Sequence, residues 1–246
     1  RYVRSVIGTK ALRKAGGSAR ELSEFQRVAE KMYLPEDKRL GVFVQHDGFL
    51  DKELRPADSL DAAERPLNQH WSWDRILRSC FIKQADVLQG LYCLRHLYDR
   101  DTIDRNFAFY EPMTVHESSL SPCVHAILAA DCGRYDKAVE MYRRTARLDL
   151  DNVNNDTEDG LHITSMCGSW MAIVKGFAGV RTERGCLELC PHVPWAFRSF
   201  AFTMQIQGRR IDVAVEDGTL SLTLLDGAPL MVCLLYTSDA ADDLTR

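Results

Sequence analysis

Apolar residues recur with helical spacing over most of the first 180 positions of the chain. Between residues 18 and 33, one such face is formed by Leu22, Phe25, Val28, Ala29 and Met32. Ser18 with Glu21 three residues later is the capping-box pattern of a helix start, and Pro35 follows the expected end. We therefore predict a helix over this stretch.

The same spacing predicts further helices at about residues 73–95, 101–107, 119–131, 134–147 and 157–176, with an extended segment at 41–49. After Gly179 the pattern changes to strand-like alternation over residues 197–227, with hairpin turns at Gly208 and at Asp217-Gly218. The chain is thus predicted to be mainly α, with a helical domain at residues 1–180 and a small antiparallel β-domain at residues 181–235.

Composition narrows the function classes. A net charge of -4 over 246 residues argues against a nucleic-acid surface. The apolar runs are too short for a membrane span, and the N-terminal stretch lacks the apolar centre of a signal peptide. Because the chain begins with Arg1, we expect the natural N-terminus to be missing.

The eight cysteines include no CxxC pair, and most lie in apolar runs such as RSCFI and LYCL. Since neither paired thiolates nor clustered histidines occur at short spacing, we predict no metal site and no cofactor. Buried, reduced thiols are expected instead, which favours a cytoplasmic location.

Lys83 and Gln84 form the first candidate site, inside the predicted helix 73–95. A lysine and an amide in an otherwise apolar helix need solvent or polar partners. Either they lie on a partly exposed face, with Lys83 in an ion pair, or they line a pocket and bind sugar hydroxyls.

The second candidate is the stretch TVHESSLSP, residues 114–122. Ser118 or Ser119 can cap the following helix, and Pro122 fits its first turn. Either this is a well-capped helix and nothing more, or its free N–H groups, two hydroxyls and His116 form an anion site that needs no further cation.

The third candidate is the acid-rich stretch LDLDNVNNDTEDGLHITS, residues 148–165. It lacks the spacing of an EF-hand calcium loop and is equally typical of a solvated linker. His162, predicted to lie one turn inside the next helix, is either a structural histidine or a second donor to the same anion.

Four strings, in this order, resemble glycoside hydrolase family 65, whose members are mostly disaccharide phosphorylases. They are EKMYLPEDKRLGVFVQHDGF, QHWSWDRILRSCFIKQADVLQGLY, FYEPMTVHESSLSPCVHAILAA and MYRRTARLDLDNVNNDTEDGLHITSMCGSWMAIVKGFAGVR. The likeness covers about residues 20–230, and the forms WSWDRILRS and HESSLSPCVH most resemble the maltose-acting branch.

The resemblance implies the last helices of an (α/α)6 barrel, the six-hairpin glycosidase fold, followed by the family's C-terminal β-domain. It implies that Lys83 and Gln84 bind glucose, and that Ser118, Ser119 and His162 bind phosphate with His116 close by. The implied reaction is inverting phosphorolysis, in which maltose and the co-substrate phosphate give β-glucose 1-phosphate and glucose. The partners implied are therefore a disaccharide and phosphate, and a homodimer is implied as well.

Two departures from the family pattern matter. No stretch of residues 1–20 resembles the motif that carries the family's general-acid glutamate, so we expect that acid upstream of this chain and the isolated chain to be inactive. The last residues, 236–246, do not resemble the family and are predicted to be a non-native tail.

Three alternatives stay open at this point. The sugar could be kojibiose, nigerose or trehalose. The reaction could be hydrolysis, as in trehalase-like members of the family, with Glu117 as the first candidate for a general base. The protein could also bind carbohydrate without catalysis.

Overall fold

The computed structural model describes residue 14, residues 16–183 and residues 186–235, so the predicted non-native tail at 236–246 lies outside the described residues. Two compact units are distinguished, residues 1–36 and residues 37–246. The first contains α1 (Ala19–Lys31), whose Ser18 and Glu21 form the predicted capping box. The boundary between the units falls within the short strand β1 (Glu36–Asp37).

The second unit begins with a strand and a series of helices. These are β2 (Val42–Phe43), α2 (Leu67–His70), α3 (Trp73–Arg78), α4 (Asp86–Cys93), α5 (Arg100–Tyr110), α6 (Ser121–Asp131), α7 (Tyr135–Ala146) and α8 (Ile163–Met171). A π-helical segment, Ala172–Phe177, continues α8. Short 3-10 turns lie at Phe49–Asp51, Ala57–Ser59, Ala62–Glu64, Arg95–Leu97, Glu111–Met113 and Thr157–Asp159. Of the extended segment predicted at 41–49, only β2 is a strand.

The prediction of one helix over residues 73–95 is wrong. α3 ends at Arg78 and α4 begins at Asp86, so Lys83 and Gln84 lie in a non-helical connection. The reason is the burial of three consecutive residues, Cys80 to Ile82, whereas one face of a helix buries only every third or fourth residue. Ile82 instead forms a parallel bridge with Thr114.

Six strands follow the helices: β3 (Arg181–Glu183), β4 (Cys186–Leu189), β5 (Ser199–Ile206), β6 (Arg209–Glu216), β7 (Thr219–Asp226) and β8 (Val232–Leu234). β5, β6 and β7 form an antiparallel sheet, and both predicted turns are present, with positive φ at Gly208 and Gly218. The order of the other sheet is β3-β4-β8, and there β8 pairs with β4 in parallel, unlike the predicted antiparallel arrangement.

One hydrophobic core runs through the helices and the sheets of the second unit. Phe107 and Leu128 from the helices share it with Phe177 and with Leu187 and Val213 from the sheets. The helical region followed by small β-sheets confirms the predicted order of secondary structure. Among the described residues, no helix is both long and apolar enough to cross a membrane.

All eight cysteines lie among the described residues and are free thiols. Cys80 and Cys123 are buried, but Cys93 and Cys167 are exposed, so the prediction that the cysteines are buried is only partly right. Cys167 lies on α8, whose outer face also exposes Ile163, Met166 and Trp170, which is why the sequence pattern suggested a core position there.

Candidate functional site

The connection between α3 and α4 runs beside the segment that precedes α6. The Ile82 amide donates to the Met113 carbonyl at 3.0 Å, and the Val115 amide donates to the Ile82 carbonyl at 2.9 Å. Further along the two segments, two residues after Ile82 and three residues after Val115, the Ser118 hydroxyl donates to Gln84 Oε1 at 2.9 Å. This parallel pairing brings one candidate sugar contact, Gln84, to one candidate phosphate contact, Ser118, whereas Lys83 beside it is exposed.

Residues 116–120 connect this pairing to α6, and we call them the anion loop because the sequence predicts an anion site there. His116 has a positive φ of 56°, which is uncommon for a residue other than glycine. Arg144 donates to the His116 carbonyl at 3.1 Å, and Arg65 donates to the Val115 carbonyl at 2.5 Å. These two arginines were not identified from the sequence, since each lies far from the loop along the chain.

The His116 ring points into the protein. Its Nδ1 lies 2.9 Å from Ser121 Oγ, and the side chain is buried. Burial lowers the pKa of His116, so the imidazole is neutral at physiological pH. The buried His116 side chain thus connects the anion loop to Ser121 at the start of α6.

The beginning of α6 differs from the prediction. Leu120, not Ser118 or Ser119, is the N-cap, and among the described side chains none caps this helix. Ser118 Oγ accepts a bond from the Leu120 amide at 3.3 Å, and Pro122 occupies the first turn as predicted. The Ser118 hydroxyl therefore stabilises the turn before the helix.

Ser119 and His162 are connected through the start of α8. The hydroxyls of Ser119 and Thr164 lie 2.8 Å apart, and His162 two residues earlier is the N-cap of α8. The prediction that His162 lies inside the helix is therefore wrong. Gly160, two residues before His162, has a φ of 131°, which does not occur in an α-helix, so the helix cannot begin at 157 as predicted.

Asp149 orients the His162 ring. Asp149 Oδ1 lies 2.6 Å from His162 Nδ1, and Oδ2 accepts the His162 amide at 2.8 Å. On the other side of the ring, Asp156 Oδ2 is 3.5 Å from Nε2, which is a long contact. The acid-rich stretch thus supplies a partner to the candidate histidine, a role that its composition did not reveal.

Glu117 is buried and already bonded. It accepts from the Leu67 amide at 2.8 Å, and Arg65 Nε lies 3.6 Å from its other oxygen. Burial raises the pKa of Glu117, and the bond from the Leu67 amide and the charge of Arg65 offset part of that rise.

A further polar cluster lies beneath the anion loop. Glu111, His116 and His125 bring their ligand atoms within 4.8 Å of one another. Sequence spacing did not reveal this group, because its members come from a 3-10 turn, a loop and the middle of α6.

Comparison with known proteins places these features in a family. A profile of the glycosyl hydrolase family 65 central catalytic domain matches residues 7–171, and a profile of the glycosyl hydrolase family 65 C-terminal domain matches residues 180–234. The maltose phosphorylase of Bacillus subtilis (strain 168) is 55% identical over 210 residues, which are 85% of this chain and 28% of that protein.

Two further similar proteins are also described as phosphorylases. The alpha,alpha-trehalose phosphorylase of Geobacillus stearothermophilus is 41% identical over 214 residues, covering 87% of this chain and 28% of that protein. A solved structure provisionally described as a kojibiose phosphorylase from human microbiome is 31% identical, with a TM-score of 0.82, over 95% of this chain and 32% of that chain.

The chain therefore spans less than a third of the length of these relatives. The two profiles together cover the helical region and the β-sheets, and the predicted resemblance to the family's disaccharide phosphorylases is confirmed. This chain belongs to glycosyl hydrolase family 65.

Proposed function

We propose that this chain supplies the glucose and phosphate contacts of an inverting disaccharide phosphorylase. Maltose is the substrate we favour, because the maltose phosphorylase of Bacillus subtilis shares 55% of the aligned residues. The products are then β-glucose 1-phosphate and glucose. Kojibiose, nigerose and trehalose are the alternative sugars.

The hydrogen bond between Ser118 and Gln84 carries the proposal. Phosphorolysis requires phosphate to attack the anomeric carbon of the bound glucosyl residue, so the two sets of contacts must be adjacent. In our assignment Lys83 and Gln84 bind the sugar, while Ser118, Ser119 and His162 bind phosphate. His116 does not face the phosphate but supports the conformation of the loop through its buried side chain.

The charges around the loop favour phosphate as the nucleophile. An inverting hydrolase needs a second carboxylate to activate water, and a phosphorylase replaces it with the anionic phosphate itself. Glu117 is engaged with Arg65 and the Leu67 amide, so it is poorly placed to activate water. Lys83 and Arg144 both interact electrostatically with Glu117, the neighbour of Ser118, so we infer that their positive charges also favour an anion there.

His162 has an orientation that suits this role. With Nδ1 bonded to Asp149, the Nε2 atom is directed to the other side of the ring, where phosphate would replace the long contact with Asp156. Asp149 therefore assists phosphate binding, and Asp156 competes with it.

The larger architecture is also a proposal. We propose that residues 1–180 are the last part of an (α/α)6 barrel, residues 181–235 a C-terminal β-domain, and residues 236–246 a non-native tail. α8 supports the barrel, because Ile163, Met166 and Trp170 are exposed on one face and would pack against preceding helices. A homodimer and a cytoplasmic location complete the proposal.

The full-length enzyme tests the reaction type. Glucose release from maltose should require phosphate, and His162→Ala should raise KM for phosphate about 10- to 100-fold with a smaller effect on KM for maltose. Asp149→Asn should act in the same direction, whereas Asp156→Asn should lower KM for phosphate. His96→Ala, at an exposed histidine, is the matched control.

Lys83→Ala and Gln84→Ala should instead raise KM for maltose and lower kcat, with phosphate affinity closer to that of the wild type. Lys38→Ala, at an exposed lysine, is the control for loss of charge. Equal rates with and without phosphate, abolished by Glu117→Gln, would show that the enzyme is a hydrolase.

We also expect the isolated 246-residue chain to be inactive. The general acid of the family lies in a motif that these residues do not match, and general-acid help is worth about 10²–10⁴-fold. Release of glucose 1-phosphate from maltose by the purified chain would contradict this expectation.

A further inference from the structure

His125 is a fully buried imidazole in the middle of α6. Among the described residues, neither of its ring nitrogens has a hydrogen-bond partner. Its ring packs edge-on against His116, with 4.4 Å between centroids, and lies 5.6 Å from the ring of Phe107. A buried polar group without a partner is costly and rare, so this histidine calls for a ligand.

The neighbouring polar atoms define where that ligand lies. His116 Nε2 is buried and also lacks a partner among the described residues, and Glu111 Oε1 is 3.9 Å from it. That distance is too long for a direct hydrogen bond. Two atoms that bind one water molecule at a tetrahedral angle lie roughly 4.6 Å apart, and the ligand atoms of this cluster all lie within 4.8 Å of one another, so one water molecule can reach them.

The charges nearby favour water over a metal ion. Lys137 Nζ is 3.1 Å from the same Glu111 oxygen, and Arg144 donates to the His116 carbonyl. A divalent cation between Glu111 and the two imidazoles would be repelled by both positive charges. Tetrahedral zinc ligands lie about 3.4 Å apart, which is closer than the 3.9 Å between His116 Nε2 and Glu111 Oε1. A neutral water molecule is not repelled by these charges, tolerates the longer distances, and can form hydrogen bonds with three polar groups at once.

We propose that one buried water molecule bridges Glu111, His116 and His125, and that Glu111 and His125 are positioning residues for the anion loop. Bonded to water at Nε2 and to Ser121 at Nδ1, the His116 ring cannot rotate. Its backbone, in the left-handed region, then fixes the course of the chain into Ser118 and Ser119, which bind phosphate in the proposed function. The positioning role rests on the proposed function, whereas the water site does not.

Variants at His125 test the role. His125→Leu removes one partner of the water, and we expect KM for phosphate to rise about three- to tenfold, the effect of one lost neutral hydrogen bond, with KM for maltose changed less than about twofold. His125→Gln keeps a polar group and should stay within about twofold of the wild type in both constants. If His125 contributed only packing, His125→Gln would have the larger effect on KM and His125→Leu the smaller, since leucine suits an apolar core better than glutamine.

Two further variants complete the kinetic test. Glu111→Gln retains an oxygen that can accept from water and should raise KM for phosphate less than Glu111→Leu does. Ile127→Val, at a buried position of α6 outside the polar cluster, controls for loss of packing and should leave both constants unchanged. If His125→Leu changed KM for phosphate and KM for maltose no more than Ile127→Val does, the positioning role would be overturned.

The water site has its own measurement. A high-resolution crystal structure of the full-length enzyme should show one solvent peak within hydrogen-bond distance of the three side chains, and that peak should be absent or displaced in His125→Leu. Dialysis against zinc should leave no stoichiometric metal. Bound zinc, or no density between the side chains, would overturn the water site. A wild-type rate independent of phosphate would instead refute the proposed function and leave the solvent peak unaffected.

Discussion

His116 and His125 place two imidazole rings in contact inside the protein. Burial lowers the pKa of His116 and lowers the pKa of His125 well below its ordinary value. For His116, Glu111 opposes this shift, while the positive charges of Arg144 and Lys137 add to it. Both rings are therefore neutral in the folded protein, and protonating either one works against folding.

We predict from this that stability falls on mild acidification. The same histidines in the unfolded chain take up protons near pH 6.5, whereas the two buried rings do not. The free energy of unfolding is therefore highest above about pH 6.5 and decreases as the pH falls below that value. Each contributes a slope of about 1.4 kcal/mol per pH unit. His125→Gln should show a shallower decline of melting temperature between pH 7 and 5. An unchanged slope would show that His125 is protonated in the folded state.

At the scale of elements, α8 approaches α6 and α7 closely at Gly168. A Cβ atom at this position would lie 2.8 Å from the Cβ of Cys123 and 3.2 Å from the Cγ2 of Thr145. α8 begins beside the anion loop, where the hydroxyls of Thr164 and Ser119 lie 2.8 Å apart and His162 is the N-cap, and the close contact at Gly168 helps to hold the helix there. The absence of a side chain at Gly168 thus contributes to the site as well as to packing.

We predict that Gly168→Ala lowers stability by about 1–3 kcal/mol, because the added methyl group overpacks the contact. Gly90→Ala is the matched control: Gly90 is helical and exposed, and nothing lies within 4 Å of its added Cβ. That control should gain about 0.4–1 kcal/mol. Thermal melting of the full-length variants measures both, and a gain in both would mean that α8 shifts at no cost.

At the scale of the whole molecule, a buried ion-pair network connects the helices to the sheets. Asp131 at the end of α6 forms ion pairs with Arg95 from the turn after α4 and with Arg181 from β3. The carboxylate is almost fully buried, while both arginines are less so. Its two partners come from the helical region and from the first strand, so the network joins these parts through charge as well as through the shared core.

We predict that Asp131→Ala costs about 3–5 kcal/mol, because two arginines lose their buried counter-charge. Asp104→Ala removes a partly exposed partner of Arg134 and should cost at most about 1 kcal/mol. Chemical denaturation of the two variants measures the difference. Limited proteolysis should also cut Asp131→Ala faster near β3, and similar losses in both variants would contradict a central role for the network.

The sequence alone determined the features that depend on neighbouring residues. The capping box at Ser18 and Glu21 and the hairpin turns at Gly208 and Gly218 follow from hydrogen bonds and backbone conformations within a few residues. Family membership was likewise readable, because long matching strings preserve the order of the site segments. The sequence also singled out Gln84, Ser118 and His162 as candidate contacts, and the roles given to them here are proposals.

Only the tertiary structure decided how those segments meet. The helix predicted over 73–95 is interrupted because Ile82 pairs with Thr114, a partner that no local pattern reveals. The bond between Ser118 and Gln84 follows from that pairing, and the contact between Asp149 and His162, 13 residues apart, depends on tertiary packing. The burial of His116 against His125 does too, since helical periodicity gives the face of a residue but not the polar group that will lie opposite it.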